Sequence, residues 1–415
     1  MRVAYVLARF PRLTETFVLN EILAVQGHGV EVEIYPMLRE HDTVVHPGAQ
    51  QLAARAHYLR LLRFSAVASH AYFLIRRPRA YLSSLAHLVE DNLGARRKIL
   101  FFGLVVFAKA VPAARLIARA DIDHIHCHFA RNPALAGLII SRLTGISFSF
   151  TAHGSDIHVD RHMLCRKLNE ASFAVTISEF NRAVMEAECR SASKGKLSVV
   201  HCGVDTDVFR PRDDGRSTAL DQLRIVCIGT LHEVKGQAHL IEACAQLRDA
   251  GIDFTCRLVG RGPDEDALRG MIERLELQER VKLLGALPRD GVMEELHRAD
   301  VLVAPSVTSA RGQREGIPVA LMEAMSCALP VVSSRLSGIP ELVDHERNGL
   351  LVTPGSSEEL ANALLRLAGD HALRRRLGEE GRRTIERDFD LHVNAGRLVT
   401  LFGGAAATSL ASDAP

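Results

Sequence analysis

The chain has 415 residues, too many for one hydrophobic core and enough for two domains of about 200 residues each. A hydrophobic content of 47% and a charged content of 24% are those of a soluble globular protein. The longest uninterrupted apolar run, Ile99 to Ala108, is about half of what spans a bilayer, so no transmembrane helix is expected.

In chain order, Val3 to Leu7 reads as a continuous apolar strand, too short and too soon followed by Arg9 and Arg12 to be a signal peptide. Thr14 to Gln26 reads as a helix with Thr14 as N-cap and Gly27 as its stop, and Val30 to Tyr35 as the next strand. A helix N-terminus after a first strand is where doubly wound sheets place ligands. Thr14, Glu15 and Thr16 are therefore site candidates, although Thr14 and Glu15 are equally suited simply to capping the helix.

Residues 47–119 have helical periodicity with aromatic and basic residues mixed. Between 51 and 120 twelve Lys or Arg stand against only Glu90 and Asp91, in a chain whose net charge is +2. Such a segment suits an anionic membrane surface, or it is a helical layer that is merely basic. Nucleic acid is not expected as a partner, because no nucleic-acid motif accompanies the charge.

Asp123 to Phe129 reads as a strand in which His124, His126 and His128 alternate onto one face. Three histidines on a strand lack an evident fourth ligand, so no metal site is expected. Ser147 to Thr151 is the next strand, ending at Ala152-His153-Gly154-Ser155-Asp156. A His at that end, followed by Gly, is placed to meet a ligand and to accept or move a proton near neutral pH. Strands at Phe173–Ile177 and Leu197–Val200 complete the first domain, 1–210, and 211–222 is a polar linker. The triplets Asp121–Asp123 and Asp205–Asp207 lie at the wrong ends of their segments to hold Mg²⁺ on a diphosphate. The eight cysteines lack metal spacing and are expected to be buried reduced thiols of a cytosolic protein.

The second domain, 223–388, restarts the pattern with strands Leu223–Gly229, Phe254–Val259, Val281–Leu284, Val301–Ala304, Val331–Ser334 and Leu350–Val352, a second Rossmann-like unit. Lys235, in the loop after the first of these, is placed to meet a diphosphate, and Arg261 a base or phosphate. Around Glu315-Gly316-Ile317-Pro318 a polar loop enters a helix predicted over Pro318–Ala328. The unpaired amides of Gly316 and Ile317 and the helix dipole suit a phosphate, with proline fitting the first turn. Glu323 returns to the same helix face about 10 Å further on. Two carboxylates flanking a phosphate site suit a nucleotide sugar; alternatively Glu315 is only a dipole partner and Glu323 a solvated helix residue.

Glu315-Gly-Ile-Pro-Val-Ala-Leu-Met-Glu323 resembles the Glu, seven residues, Glu signature of retaining glycosyltransferases of family 4. Lys235-Gly236, Leu258-Val-Gly-Arg-Gly-Pro263, Gly203-Val-Asp-Thr-Asp-Val-Phe209 and Gly338-Ile-Pro-Glu341 agree with it. Arg9-Phe-Pro-Arg-Leu-Thr-Glu-Thr-Phe17 resembles the subgroup that builds colanic acid and related exopolysaccharides. The resemblance implies an α/β GT-B fold, two Rossmann-like domains facing each other across a cleft. It also implies a crossover helix near 389–403 returning to the first domain, ahead of a tail, 404–415, expected to be disordered. It implies a functional His153, with His126, His128 and Asp156 lining the acceptor side, and a metal-independent, same-face transfer with no cofactor besides the nucleotide-sugar donor. The acceptor would be a lipid-linked polysaccharide, and the enzyme cytoplasmic and peripheral at the inner face of the plasma membrane. An epimerase or phosphorylase on the same fold, or an inactive sugar-nucleotide-binding assembly factor, are the alternatives. The chain departs from the family at Thr230, where relatives carry Arg, and at Cys202, where they carry Asn. Arg311 or Arg314 is the expected source of the missing charge.

Overall fold

The computed structural model describes residues 1–11, 16–40, 47–59, 64–92, 97–159, 161–212 and 222–412. The chain divides into two compact units, Met1–His201 with His392–Pro415, and Cys202–Leu391. Each is built on a six-stranded, wholly parallel sheet, and the strands read from the sequence are the strands found.

In the first unit β1 (Arg2–Phe10), β2 (Glu31–Arg39), β3 (His124–His128), β4 (Phe148–Ala152), β5 (Phe173–Thr176) and β6 (Leu197–Val199) lie in the order β2-β1-β3-β4-β5-β6. Strands β3 and β4 are buried throughout because helices cover both faces, which is why they lack polar alternation in burial. The helix Arg97–Ile117 is long and apolar enough to cross a membrane by length and composition alone, yet it buries Val106, Phe107, Ala110, Val111 and Ala114 in this unit's core. It packs against the helix Asn132–Thr144.

In the second unit β7 (Leu223–Ile228), β8 (Phe254–Val259), β9 (Val281–Gly285), β10 (Val301–Ala304), β11 (Val331–Ser334) and β12 (Leu350–Val352) lie in the order β12-β11-β10-β7-β8-β9. The chain winds outward from β7 through β8 to β9, then returns beside β7 with β10 and winds the other way. The strand order therefore reverses between β7 and β10, the place where such sheets bind ligands.

Three boundaries differ from expectation. The first unit ends at His201 rather than at 210, because Val204 bridges Asp390 and Phe209 is buried in the second core. Most of the expected linker, 213–221, lies outside the described residues. The last helix, Leu391–Ser412, runs through most of the tail expected to be disordered. Its Phe402 is buried against Tyr5, His124 and His126, which carries the chain back into the first unit. Cys165 and Cys189 form a disulfide where reduced thiols were expected, bringing together two helices; the other six cysteines are not disulfide-bonded.

Candidate active site

In the second unit, the loops leaving β7 and β10 lie on each other. Val307 N–H donates to Val234 O at 3.0 Å and Ala310 N–H to a Glu233 carboxylate oxygen at 2.9 Å. Glu233–Lys235 forms a 3-10 turn whose first residue is preceded by His232, which accepts from Val234 N–H. Gly236 closes it at φ +68°, and a Cβ there would stand 1.9 Å from Pro305 O, so only glycine lets the two loops meet. Lys235 lies back along Gly229 and places Nζ 2.5 Å from Glu315 Oε2, with both side chains about one-fifth exposed at 23% and 19%. The spacing of 80 residues concealed this pair from sequence reading, although both members were chosen singly.

Gly316 and Ile317 follow Glu315, and among the described residues neither amide is engaged in a hydrogen bond. Pro318 is the N-cap of a helix shorter than predicted, Val319–Ser326, rather than a residue of its first turn. Glu323 lies on that helix. The residue is only partly buried, but its carboxyl is desolvated enough to be pushed up to about 7, against the weaker pull of Arg289. Thr230 is exposed at the end of β7 and its carbonyl accepts from Gln237 Nε2 at 3.0 Å. Arg261, exposed after β8, has its side chain beside Gly285 at the end of β9. Arg311 and Arg314 are exposed on the loop before Glu315 and form no ion pair among the described residues. The hydroxyls of Ser306 and Ser334, at the same ends of β10 and β11, are buried and lack a hydrogen-bond partner among the described residues.

The first unit holds the histidines. Thr16 begins its helix Thr16–Gly27, whereas Thr14 and Glu15 lie outside the described residues. His153 follows β4, 8% exposed, with its ring between Phe17 and Phe129 at centroid distances of 4.8 and 4.6 Å. Burial and then neighbouring His128 push its pKa well below the usual imidazole value. Its ring Nε2 meets His128 Nδ1 at 3.0 Å, and His128 Nε2 meets Glu21 Oε1 at 3.0 Å.

Three expectations are corrected here, the first at His128, which is wholly buried with its ring nitrogens engaged by His153 and Glu21. His126 does not line an open surface: it is wholly buried, with its nitrogens 2.8 Å from Ser149 Oγ and 3.0 Å from Thr151 Oγ1. The strand alternation was right, but the shared face is interior because Phe402 covers it. Asp156 is also buried, and its carboxylate accepts from the amides of Ala130, His153 and Gly154, which makes it a clamp on the His153 backbone rather than an acceptor contact. Glu21, His126 and His128 bring one ligand atom each within 4.8 Å, though the His126 nitrogens already meet hydroxyls. Asp205, in the second Asp-x-Asp triplet, caps its own turn by accepting from the amides of Asp207 and Val208.

Sequence reading missed Glu21, because it sits within an apolar helix, and Asn181, whose side-chain amide donates to His153 O at 3.1 Å. No local spacing marks either one.

Two family models match: Glycosyltransferase Family 4 over residues 14–208 and Glycosyl transferases group 1 over residues 211–384. The chain is 31% identical over 97% of its length to a protein named as a colanic acid biosynthesis glycosyltransferase, WcaL of Escherichia coli (strain K12), of which 99% is covered. It is equally 31% identical, with the same coverages, to the amylovoran biosynthesis glycosyltransferase AmsK of Erwinia amylovora. Among solved structures, Anabaena HepE in complex with UDP-glucose aligns with a TM-score of 0.72 at 17% identity, over 97% of this chain and all of that one. That likeness concerns the fold. With two parallel Rossmann-like halves, a last helix returning to the first, and near full-length relatives at 31% identity, the chain belongs to the family 4, group 1 glycosyltransferases of GT-B fold.

Proposed function

We propose that the protein moves a sugar from a nucleotide diphosphate sugar to a growing, lipid-linked exopolysaccharide, with retention at the anomeric carbon and without a metal. The observation that carries this reading is the Lys235–Glu315 pair, seated on the two loops where the second sheet reverses its strand order. A diphosphate needs cations and amides where its charge grows, and Lys235 with the Gly316 and Ile317 amides supplies both. The solved relative in complex with UDP-glucose, and the relatives named for colanic acid and amylovoran, support the donor and product classes.

The bond between the anomeric carbon and the diphosphate oxygen breaks as the acceptor hydroxyl oxygen attaches on the same face. The hydroxyl proton passes to the departing phosphate oxygen. No protein carboxylate has to form a covalent intermediate, so Glu315 orients the reacting sugar and Lys235, while Glu323 accepts from the ribose hydroxyls.

The acceptor's lipid places the enzyme at the cytoplasmic face of the plasma membrane. On the helices Phe64–Arg76, Pro78–Glu90 and Arg97–Ile117, exposed Phe64, Ile75, Leu82, Phe101 and Phe102 stand among exposed Arg76, Arg77, Arg79, Arg97 and Lys98. Apolar insertion flanked by cations suits an anionic leaflet.

The test is a melting-temperature screen with UDP-, GDP- and ADP-sugars, followed by transfer to lipid-linked acceptor in the presence of EDTA. A stabilising donor and an axial or equatorial product matching that donor's configuration are expected. Conversion of the donor to an epimer without acceptor, or an inverted product, would overturn the reading. Sedimentation with anionic but not neutral vesicles, lost at high salt, is the expected membrane behaviour.

A further inference from the structure

Four residues of the first unit form a continuous polar line inside an otherwise apolar setting. Tyr5 Oη donates to Glu21 Oε1 at 3.1 Å, and His128 Nε2 lies 3.0 Å from that same oxygen. His128 Nδ1 then meets His153 Nε2 at 3.0 Å. The line ends at His153 Nδ1, which is buried and has no hydrogen-bond partner among the described residues. An orphaned buried nitrogen costs about as much as a lost hydrogen bond, so its persistence in this otherwise saturated setting asks for a function.

For an ionised Glu21 and a neutral His128, donor and acceptor rules set the protons along the line. A carboxylate only accepts, so the proton between Glu21 and His128 sits on His128 Nε2. Neutral imidazole carries one proton, which leaves His128 Nδ1 as an acceptor, and His153 Nε2 must then donate to it. His153 Nδ1 is thereby left bare. The ring cannot turn to exchange its nitrogens freely, because Phe17 and Phe129 flank it and its backbone is held on both sides, by Asp156 at the amide and Asn181 at the carbonyl.

We propose that Glu21 and His128 are positioning residues that lock His153 in the Nε2–H tautomer, so that its bare Nδ1 accepts a hydrogen bond from a hydroxyl of the bound substrate. The hydroxyl's identity as a sugar hydroxyl rests on the transfer reading above; the tautomer does not. The strong burial of His153 acts in the same direction, since it keeps the ring neutral and therefore able to accept. The arrangement resembles in its logic any carboxylate that orients an imidazole, here extended by one further ring.

Nitrogen-15 NMR of the imidazoles in the full-length protein tests this, with the His153 signals assigned by their loss in His153→Gln. The expected wild-type spectrum at pH 7.5 shows a bare Nδ1 and a protonated Nε2 for His153. Glu21→Leu removes the acceptor that sets the line, so a substantial Nδ1–H population should appear at His153 and turnover should fall about 10- to 100-fold, the scale of one misdirected hydrogen bond. A wild-type His153 protonated at Nδ1 overturns the proposal, and this holds even if Glu21→Leu fails to fold. A folded Glu21→Leu protein with unchanged tautomer and turnover overturns it too. The expected tautomer in a protein that transfers no sugar would support the line and sink only the transfer reading.

Discussion

Lys235 Nζ lies 2.5 Å from Glu315 Oε2, joining the loops on either side of the strand-order reversal in the second sheet. Two groups in such contact act as a unit, and removing either leaves the other misplaced. Lys235→Ala should therefore lower turnover about 10²- to 10³-fold, the scale of one charge-stabilising donor. Glu315→Gln should also act mainly on turnover. The double variant should be little worse than the poorer single variant, and steady-state kinetics of the four proteins would show it. Fully additive losses would mean that the pair is incidental.

Burial pushes the Glu323 carboxyl up to about 7, so its charge changes near neutral pH. A native value above the unfolded one means that the group stabilises the fold below the unfolded value, and that this contribution is lost as pH rises through 7. Donor binding should run the other way. The ionised carboxylate is the stronger acceptor for ribose hydroxyls, so donor affinity should rise between pH 6 and 8. Glu323→Gln should weaken binding with turnover largely kept, and should flatten that rise in a calorimetric titration.

If the donor is a nucleotide diphosphate sugar, Thr230 supplies no cation where the family resemblance implies an Arg, and Arg311 and Arg314 stand exposed on the loop that ends at Glu315. Arg314→Ala or Arg311→Ala should slow transfer roughly 10²-fold. Thr230→Arg should then restore part of the loss. If both alanine variants keep full activity at saturating and limiting donor, Arg261 becomes the next candidate.

The buried histidines should make the first unit acid-sensitive. Burial pushes His124 down to about 3, and His126 and His153 well below the usual imidazole value. The native state thus holds them neutral while the unfolded chain protonates them near pH 6.5. Their contribution is fully present above pH 6.5 and is lost as pH falls below it, at about 1.4 kcal/mol per pH unit for each ring. Melting temperature should fall steeply from pH 6.5 to 5. His124→Gln, which keeps polar contact with Ser147 and Ser149 but does not titrate, should make the fall shallower.

The repeating strand–helix pattern, both parallel sheets and the residues at their C-terminal ends were legible in the order of amino acids. Apolar runs bounded by glycine and proline are local facts, and a parallel sheet buried on both faces allows them little else. Lys235, Glu315 and Glu323 were legible for the same reason, since each follows a strand or falls at a set helical spacing. Tertiary structure alone decided what those residues touch. Alternation placed His124, His126 and His128 on one face, but only the return of Phe402 from the far end of the chain made that face interior. Glu21 gave no signal within an apolar helix until folding set it beside His128, 107 residues away. Periodicity fixes which side chains share a face; burial and partnership depend on segments more than a hundred residues away, which no local pattern encodes.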